Sequence, residues 1–417
     1  MSKSSKPGSI QCMIWFGALW CLACALLYPT AKKQFTRDIS CDVVGAHFPK
    51  DYWKGRAAFR ESAANASAVL STLEMGADVG PGNLTIDVAF LTGSTPEHVV
   101  LHVSGTHGVE AFPGSAIQAK FLQDVASGAT KPGPSVLLVH ALNPFGFEQL
   151  RRWNEDSVDL NRNLLPEAGF GEAAKKDHAA YDELSAFINP PGISKADFFW
   201  PKAAFYIATR GMAALKAAMI GGQYHNAKGL WYGGAKLAKS HALLSEFLAA
   251  HPAVAGAKKL AMVDVHTGLG PWKLDTLMVG GAEQLALLAK AGLTAGLEAS
   301  RYEDTSSTDE GAAAGGGAYA GTKGFTTDGA TGYPALFGGA SEKLAVCQEF
   351  GTVAGVQVFR ALRAENAAYH HGSEEERERP KISVREVFNP SGKCDWQTAV
   401  LARGIEVLEQ LNTYLSK

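Results

Sequence analysis

Val99-Val100-Leu101-His102-Val103-Ser104-Gly105-Thr106-His107-Gly108-Val109-Glu110 reads as a buried strand that runs into a glycine-bounded turn. The glycines let the backbone turn sharply enough to aim two side chains at one point. His107 and Glu110, three residues apart, offer an imidazole nitrogen and a carboxylate oxygen, both good ligands for Zn²⁺. The spacing is common by chance, so the pair tells us what else to look for.

Outward from this turn the chain alternates. Pro113 to Val125 reads as a helix with proline at its start. Ser135 to Ala141 is the next strand, bounded by Gly133-Pro134 and Asn143-Pro144. Leu84–Leu91, Lys259–Val265, Thr276–Val279 and Ala345–Phe350 read as further strands. Glu283–Ala291, Val356–Ala368 and Trp396–Leu415 read as helices. Continuous apolar strands separated by helices predict an α/β fold: a mixed, largely parallel twisted sheet with helices on both faces. In such sheets ligands sit beyond the carboxyl ends of the strands.

Three stretches interrupt the alternation. Residues 165–258 predict a large helical insertion. Glu310 to Gly324 is Gly/Ala-rich and predicts a mobile loop. His371 to Pro380 carries Glu374-Glu375-Glu376-Arg377-Glu378-Arg379 and predicts a charged linker. The resulting division is an N-terminal segment 1–29, a catalytic domain 40–372, and a linker with a C-terminal helix 373–417.

The 417 residues carry a formal net charge of -2 and no long basic run. Nucleic-acid binding therefore has no electrostatic footprint. Ile10 to Tyr28 is nearly all apolar, between Lys3 and Lys6 before it and Pro29, Lys32, Lys33 and Arg37 after it. This predicts a signal peptide or an uncleaved signal anchor, close to the ~20 residues that span a bilayer. The expectation is a secreted or single-pass membrane protein with a lumenal or extracellular body, its membrane contact made through that segment. The sequons Asn65-Ala66-Ser67 and Asn83-Leu84-Thr85 fit a glycoprotein. Cys12, Cys21 and Cys24 sit in the apolar segment, leaving Cys41, Cys347 and Cys394. Three cannot all pair; Cys41 with Cys394 is one candidate bridge.

A catalytic zinc takes three protein ligands and keeps one position open. Val263-Asp264-Val265-His266-Thr267-Gly268 offers the third ligand, His266, at another strand end. His102 and His140 lie inside apolar strands and read as packed residues. Asp264 faces the same side of its strand as His266, so it either orients that ligand or is a structural acid.

Taken together, His107-x-x-Glu110, the Asn143-Pro144-x-Gly146 turn, Asp159-Leu160-Asn161-Arg162-Asn163 and the later His266 resemble zinc carboxypeptidases in kind and order. Over roughly residues 60 to 370 the chain is similar to a divergent, uncharacterised branch of that superfamily, domain of unknown function 2817. The resemblance implies a carboxypeptidase-like fold and one Zn²⁺ held by His107, Glu110 and His266. It implies that Arg152, with Arg151 as its competitor, polarises the scissile carbonyl, as a fixed guanidinium can. Asn161 and Arg162 would grip a substrate carboxylate, which a planar fork suits. Glu349, in Val346-Cys347-Gln348-Glu349-Phe350, would be the general base; a carboxylate on an apolar strand needs such a reason. The family also has a mobile tyrosine, for which Tyr333 and Tyr319 are both candidates.

These readings converge on a zinc-dependent hydrolase that cleaves a peptide or other amide bond beside a free carboxylate. A zinc deacylase of N-acyl amino acids and a catalytically inactive binding protein are the rival expectations.

Overall fold

The computed structural model describes residues 41–176, 178–192, 197–305 and 322–417. The chain divides into a unit of 1–34, outside the described residues, and a unit of 35–417 that holds everything below. Eight strands form one sheet: β1 (Val69–Glu74), β2 (Thr85–Leu91), β3 (Thr95–Ser104), β4 (Pro134–His140), β5 (Lys259–Thr267), β6 (Asp275–Val279), β7 (Tyr302–Asp304) and β8 (Glu342–Phe350). Their spatial order is β1-β2-β4-β3-β5-β8-β6-β7. The central run β4-β3-β5-β8 is parallel. The pairs β1–β2, β2–β4 and β6–β8 are antiparallel. The sheet is thus mixed with a parallel centre, in keeping with the apolar runs of its inner strands.

Strand alternation divides the core in two. Val100, Val136, Leu138, Ala261, Val263, Leu344 and Val346 point to one face. Val99, Leu101, Val103, Leu137, Val139, Leu260, Met262 and Ala345 point to the other. Helices α1 (Tyr52–Asn65), α2 (Ala111–Ala126) and α10 (Cys394–Leu415) cover the first face through Phe59, Ile117, Phe121, Trp396 and Ile405. The second face is covered by α3 (Pro144–Gln149) and α6 (Lys239–Ala250), with Phe147, Leu244, Leu248 and Tyr333. The insertion includes α4 (Phe199–Arg210) and α5 (Met212–Ile220). It builds a third cluster with α8 (Gly355–His371) and α9 (Glu374–Phe388), around Tyr181, Phe187, Trp231, Phe359 and Phe388. Helix α7 (Ala282–Lys290) flanks β8.

The predicted elements are present, with small shifts of their ends. The segment expected to be a charged linker is instead helix α9. Ser373 and Glu376 form a reciprocal capping box, and three glutamates occupy the first turn, where they complement the positive end of the helix. Only Val384 and Phe388 are buried, so the apolar period is too sparse to read in the sequence. Helix α10 is no appendage. It crosses α2 so closely that a Cβ on Gly404 would lie 2.3 Å from Ile117 Cδ1, and the Leu415 carbonyl meets His98 Nδ1 at 2.6 Å.

The membrane expectation is corrected. No helix among the described residues is long and apolar enough to cross a membrane, against a single-pass anchor and against membrane contact by that route; Ile10–Tyr28 itself lies outside the described residues. Most of the Gly/Ala-rich loop and Tyr319 also lie outside them. Cys394 is disulfide-bonded and Cys347 is free.

Candidate metal centre

The site forms beyond the carboxyl ends of β3, β5 and β8. Leaving β3, the chain turns at Gly105, whose φ is +70; a Cβ there would lie 2.9 Å from those of Ala111 and Ala141. His107 follows, then one 3-10 turn, Gly108–Glu110, which leads into α2. Gly108 is required by close approach: a Cβ on it would lie 2.0 Å from the Gly146 carbonyl carbon. That contact allows Gly108 N and Val109 N to donate to the carbonyls of Arg152 (3.2 Å) and Arg151 (2.8 Å). Asn143 caps α3 by accepting from Gly146 N at 2.8 Å, and its Nδ2 donates to the Arg152 carbonyl at 3.2 Å. The Asn-Pro-x-Gly turn therefore fixes where Arg152 leaves the backbone.

His107, Glu110 and His266 are buried and converge. His107 Nδ1 lies 3.1 Å from His266 Nδ1 and 3.1 Å from Glu110 Oε1. His266 Nδ1 lies 3.2 Å from Glu110 Oε2. The Glu110 carboxylate thus meets the two nitrogens through its two different oxygens, and each separation is close to the ~3.3 Å between neighbouring ligand atoms of a tetrahedral zinc with bonds of about 2.0–2.1 Å. The rear nitrogens face carboxylates: His107 Nε2 is 3.0 Å from Asp159 Oδ1. His266 Nε2 is 2.9 Å from Asp264 Oδ2, close enough for an ion pair though not aligned as a hydrogen bond. With the ring protons on these rear nitrogens, two nitrogen lone pairs and a carboxylate face one another across about 3 Å. A divalent cation resolves that conflict, and the carboxylate–histidine backing suits one. The donor set therefore fits a metal ion.

Electrostatics reinforce the geometry. Burial alone would raise the Glu110 carboxyl, but His107, His266 and Arg152 outweigh it and hold the group well below the usual range. Burial likewise opposes ionisation of Asp159, and Arg152 and His107 override it. Arg152 donates through Nη1 to Glu110 Oε1 at 2.8 Å and through Nε to Asp159 Oδ2 at 3.2 Å, with its side chain 12% exposed. Arg151 is fully buried against Glu365 at 2.7 Å, with Tyr369 over its guanidinium. Of the two candidates, only Arg152 reaches the centre.

Glu349 pairs in register with His266 across β5 and β8, so its side chain rises on the same face one strand away. It accepts from Leu269 N at 2.9 Å. Burial, then the Glu110 charge, push it up to about 8.

The substrate-side expectations fare differently. Asn161 lies in the 3-10 turn Leu160–Arg162, and its Oδ1 accepts from Thr326 N at 3.0 Å. Arg162 is 1% exposed. Its Nη2 and Nε donate to the Ile220 carbonyl at 2.6 and 3.2 Å, and its Nη1 donates to the Asn161 carbonyl at 2.6 Å. Tyr224 donates to the Arg162 carbonyl at 2.7 Å. The insertion thus wraps the residue expected to grip a carboxylate. Tyr333, one of the two candidates for the mobile tyrosine, is held inside the fold. It is fully buried, with its hydroxyl 2.7 Å from His241 Nδ1, and His241 Nε2 meets the Leu160 carbonyl at 2.8 Å.

Sequence reading gave no role to Asp159, although it begins the quoted Asp-Leu-Asn-Arg-Asn string. Its place two residues before Asn161 was the available signal. Of the two readings of Asp264, the structure places it directly behind His266. Thr106 and Thr326, which bond to Asp264, carry no sequence signal of their own.

A family model described as "Protein of unknown function (DUF2817)" matches residues 48–403, extending on both sides of the stretch that carried the resemblance. No curated protein matches. Among solved structures, a metallo-carboxypeptidase from Burkholderia cenocepacia is similar at 12% identity, with 87% of this chain and 70% of that chain covered and a TM-score of 0.39. Bovine thrombin-activatable fibrinolysis inhibitor, in complex with tick carboxypeptidase inhibitor, is similar at 11% identity over 87% and 98%, TM-score 0.41. The succinylglutamate desuccinylase of Chromobacterium violaceum is similar at 15% identity over 80% and 74%, TM-score 0.34. At these scores the likenesses carry no functional weight alone; the site does.

Proposed function

The chain belongs to the DUF2817 family, and from that premise and the metal centre we propose a zinc-dependent hydrolase of carboxypeptidase type, cleaving an amide bond beside a free carboxylate. The observation that carries the proposal is the convergence of His107 Nδ1, His266 Nδ1 and the two oxygens of the Glu110 carboxylate at 3.1–3.2 Å, each histidine backed by a carboxylate.

Bound zinc supplies Lewis acidity toward a substrate carbonyl and toward water. The chain's own groups do the rest. Glu349 takes a proton from the attacking water as its oxygen adds to the carbonyl carbon. Arg152 lends positive charge to the oxygen that becomes an oxyanion. As the C–N bond breaks, Glu349 returns the proton to the leaving amine. A buried carboxyl pushed up to about 8 needs the cation's charge to ionise near neutrality, which links base strength to metal loading. Asn161 and Arg162 hold the substrate carboxylate in this reading, once the Ile220 carbonyl gives way at Arg162.

One observation favours the second reading, a zinc deacylase of N-acyl amino acids. The insertion covers Arg162 with Ile220 and Tyr224, and a short substrate fits that closed end better than a peptide does. An inactive binding protein has no need of Glu349 placed beside a complete ligand set. The test is zinc content of the purified protein together with a substrate panel: peptides with and without a free C-terminal carboxylate, and N-acyl amino acids. Folded protein without stoichiometric metal, or inert toward the whole panel when loaded, would overturn the proposal.

A further inference from the structure

We propose that Thr326 is a positioning residue that locks the carboxylate behind His266, tying this metal ligand to the substrate wall. The inference rests on the metal reading above and extends it to a residue outside the ligand set. Asp264 is fully buried between β3 and β8. It receives Thr106 Oγ1 at 2.9 and 3.0 Å on its two oxygens. On its Oδ2, the oxygen that faces His266 Nε2, it also receives the Thr326 hydroxyl. The two threonines come from different loops and hold the carboxylate from two directions, so its plane, and with it the ring of His266, is fixed.

Thr326 is itself fixed. It is 1% exposed. Its loop is pinned where Leu164 N donates to the Gly324 carbonyl at 3.2 Å and where Tyr333 N donates to the Thr326 carbonyl at 3.0 Å. Gly324, at φ +78, packs so close to Arg162 that a Cβ would lie 2.5 Å from its carbonyl oxygen. The hydroxyl has one proton and gives it to Asp264, since its other neighbour, Asn161 Oδ1, is at 3.4 Å. The backbone N–H donates to Asn161 Oδ1 at 3.0 Å instead. This turns the Asn161 amide so that its NH₂ is the end left for a carboxylate. One residue thus sets the orientation of a metal ligand through its side chain and of a substrate group through its backbone.

Thr326→Val removes the hydroxyl and keeps the backbone donor. Zinc affinity, measured by competition with a chromogenic chelator on folded protein, is expected to fall about 10–100-fold, with Thr326→Ser restoring most of it. Because Thr326 acts through Asp264, adding Thr326→Val to Asp264→Asn should weaken zinc no further. Wild-type affinity in Thr326→Val, or fully additive losses in the double variant, overturns the inference. If the valine variant does not fold, Thr326→Ala replaces it with the same two outcomes. Failure of the unmodified protein to bind zinc would instead overturn the metal reading, and this inference with it.

Discussion

The two ends of this site are built on different terms. At the metal end, the three candidate ligands are held by other side chains: Asp159 behind His107, Asp264 behind His266, Arg152 across Glu110. At the Asn161–Arg162 end, the partners are backbone groups, many from the insertion. The Ile220 carbonyl takes Arg162, the Tyr232 carbonyl takes Asp159 N at 2.7 Å, and Asn163 Nδ2 reaches the carbonyls of Gly233 and Lys236. Side-chain partners restrict the amino-acid choice at both positions. Backbone partners leave the insertion's sequence free while fixing its path. The metal end is therefore set by residue identity, and the Asn161–Arg162 end by the path of the inserted segment.

The comparison breaks most readily at Glu110. Glu110→Gln removes the anionic candidate ligand and one of Arg152's two carboxylate partners, and metal content should drop to background with loss of all hydrolysis; metal retained in that variant would show that another residue completes the set. Next in size is Glu349→Gln, expected to keep the metal and lose about 10²–10⁴-fold in turnover. Near-normal hydrolysis there would remove Glu349 from its role.

Acid should act on parts of the molecule that serve neither end. Burial holds His102, His140 and His241 down to about 4. The unfolded chain binds those protons near pH 6.5, so the stability they contribute is present above 6.5 and is lost as pH falls toward 4. The slope is about 1.4 kcal/mol per pH unit for each histidine. Melting temperature followed from pH 7 to 4 checks the direction, and His140→Gln should flatten the slope by one proton's worth. A slope unchanged in that variant would mean that His140 is not neutral in the fold.

The smallest effect is expected at Gly222, where the insertion passes Arg162 with φ +85 and a Cβ would sit 3.0 Å from Arg162 Cδ. Gly222→Ala should cost about 1–2 kcal/mol while leaving zinc affinity untouched. A parallel fall in zinc affinity would mean that the two ends are not separable.

The same division governs what the sequence reveals. His107, Glu110 and His266 are legible because strands, glycine turns and ligand chemistry each restrict residue type. The parallel centre is legible because strands covered on both faces must be apolar throughout. Edge strands are not: β1 exposes Val69 and Leu70, and β7 spans three residues. Helix α9 is hidden by its charge. Tyr333 is not legible in this way, because a tyrosine before the base looks alike in sequence whether it faces a substrate or His241; only packing separates the two. Arg162 could be named but not its surroundings, since a carbonyl 58 residues away leaves no mark on the sequence.

Helix α10 bears on how the protein is made. His98 and Leu415 meet although 317 residues separate them, and Trp396, Leu401 and Ile405 fill the same core as β3 and β5. During synthesis both candidate histidine ligands leave the ribosome well before the helix that steadies their strands. At roughly 5–20 residues per second, seconds pass between the emergence of His266 and that of the whole of α10. Under the proposed function, metal loading becomes a matter of timing: the two carboxylate-backed imidazoles dictate a geometry only once α10 has closed the core.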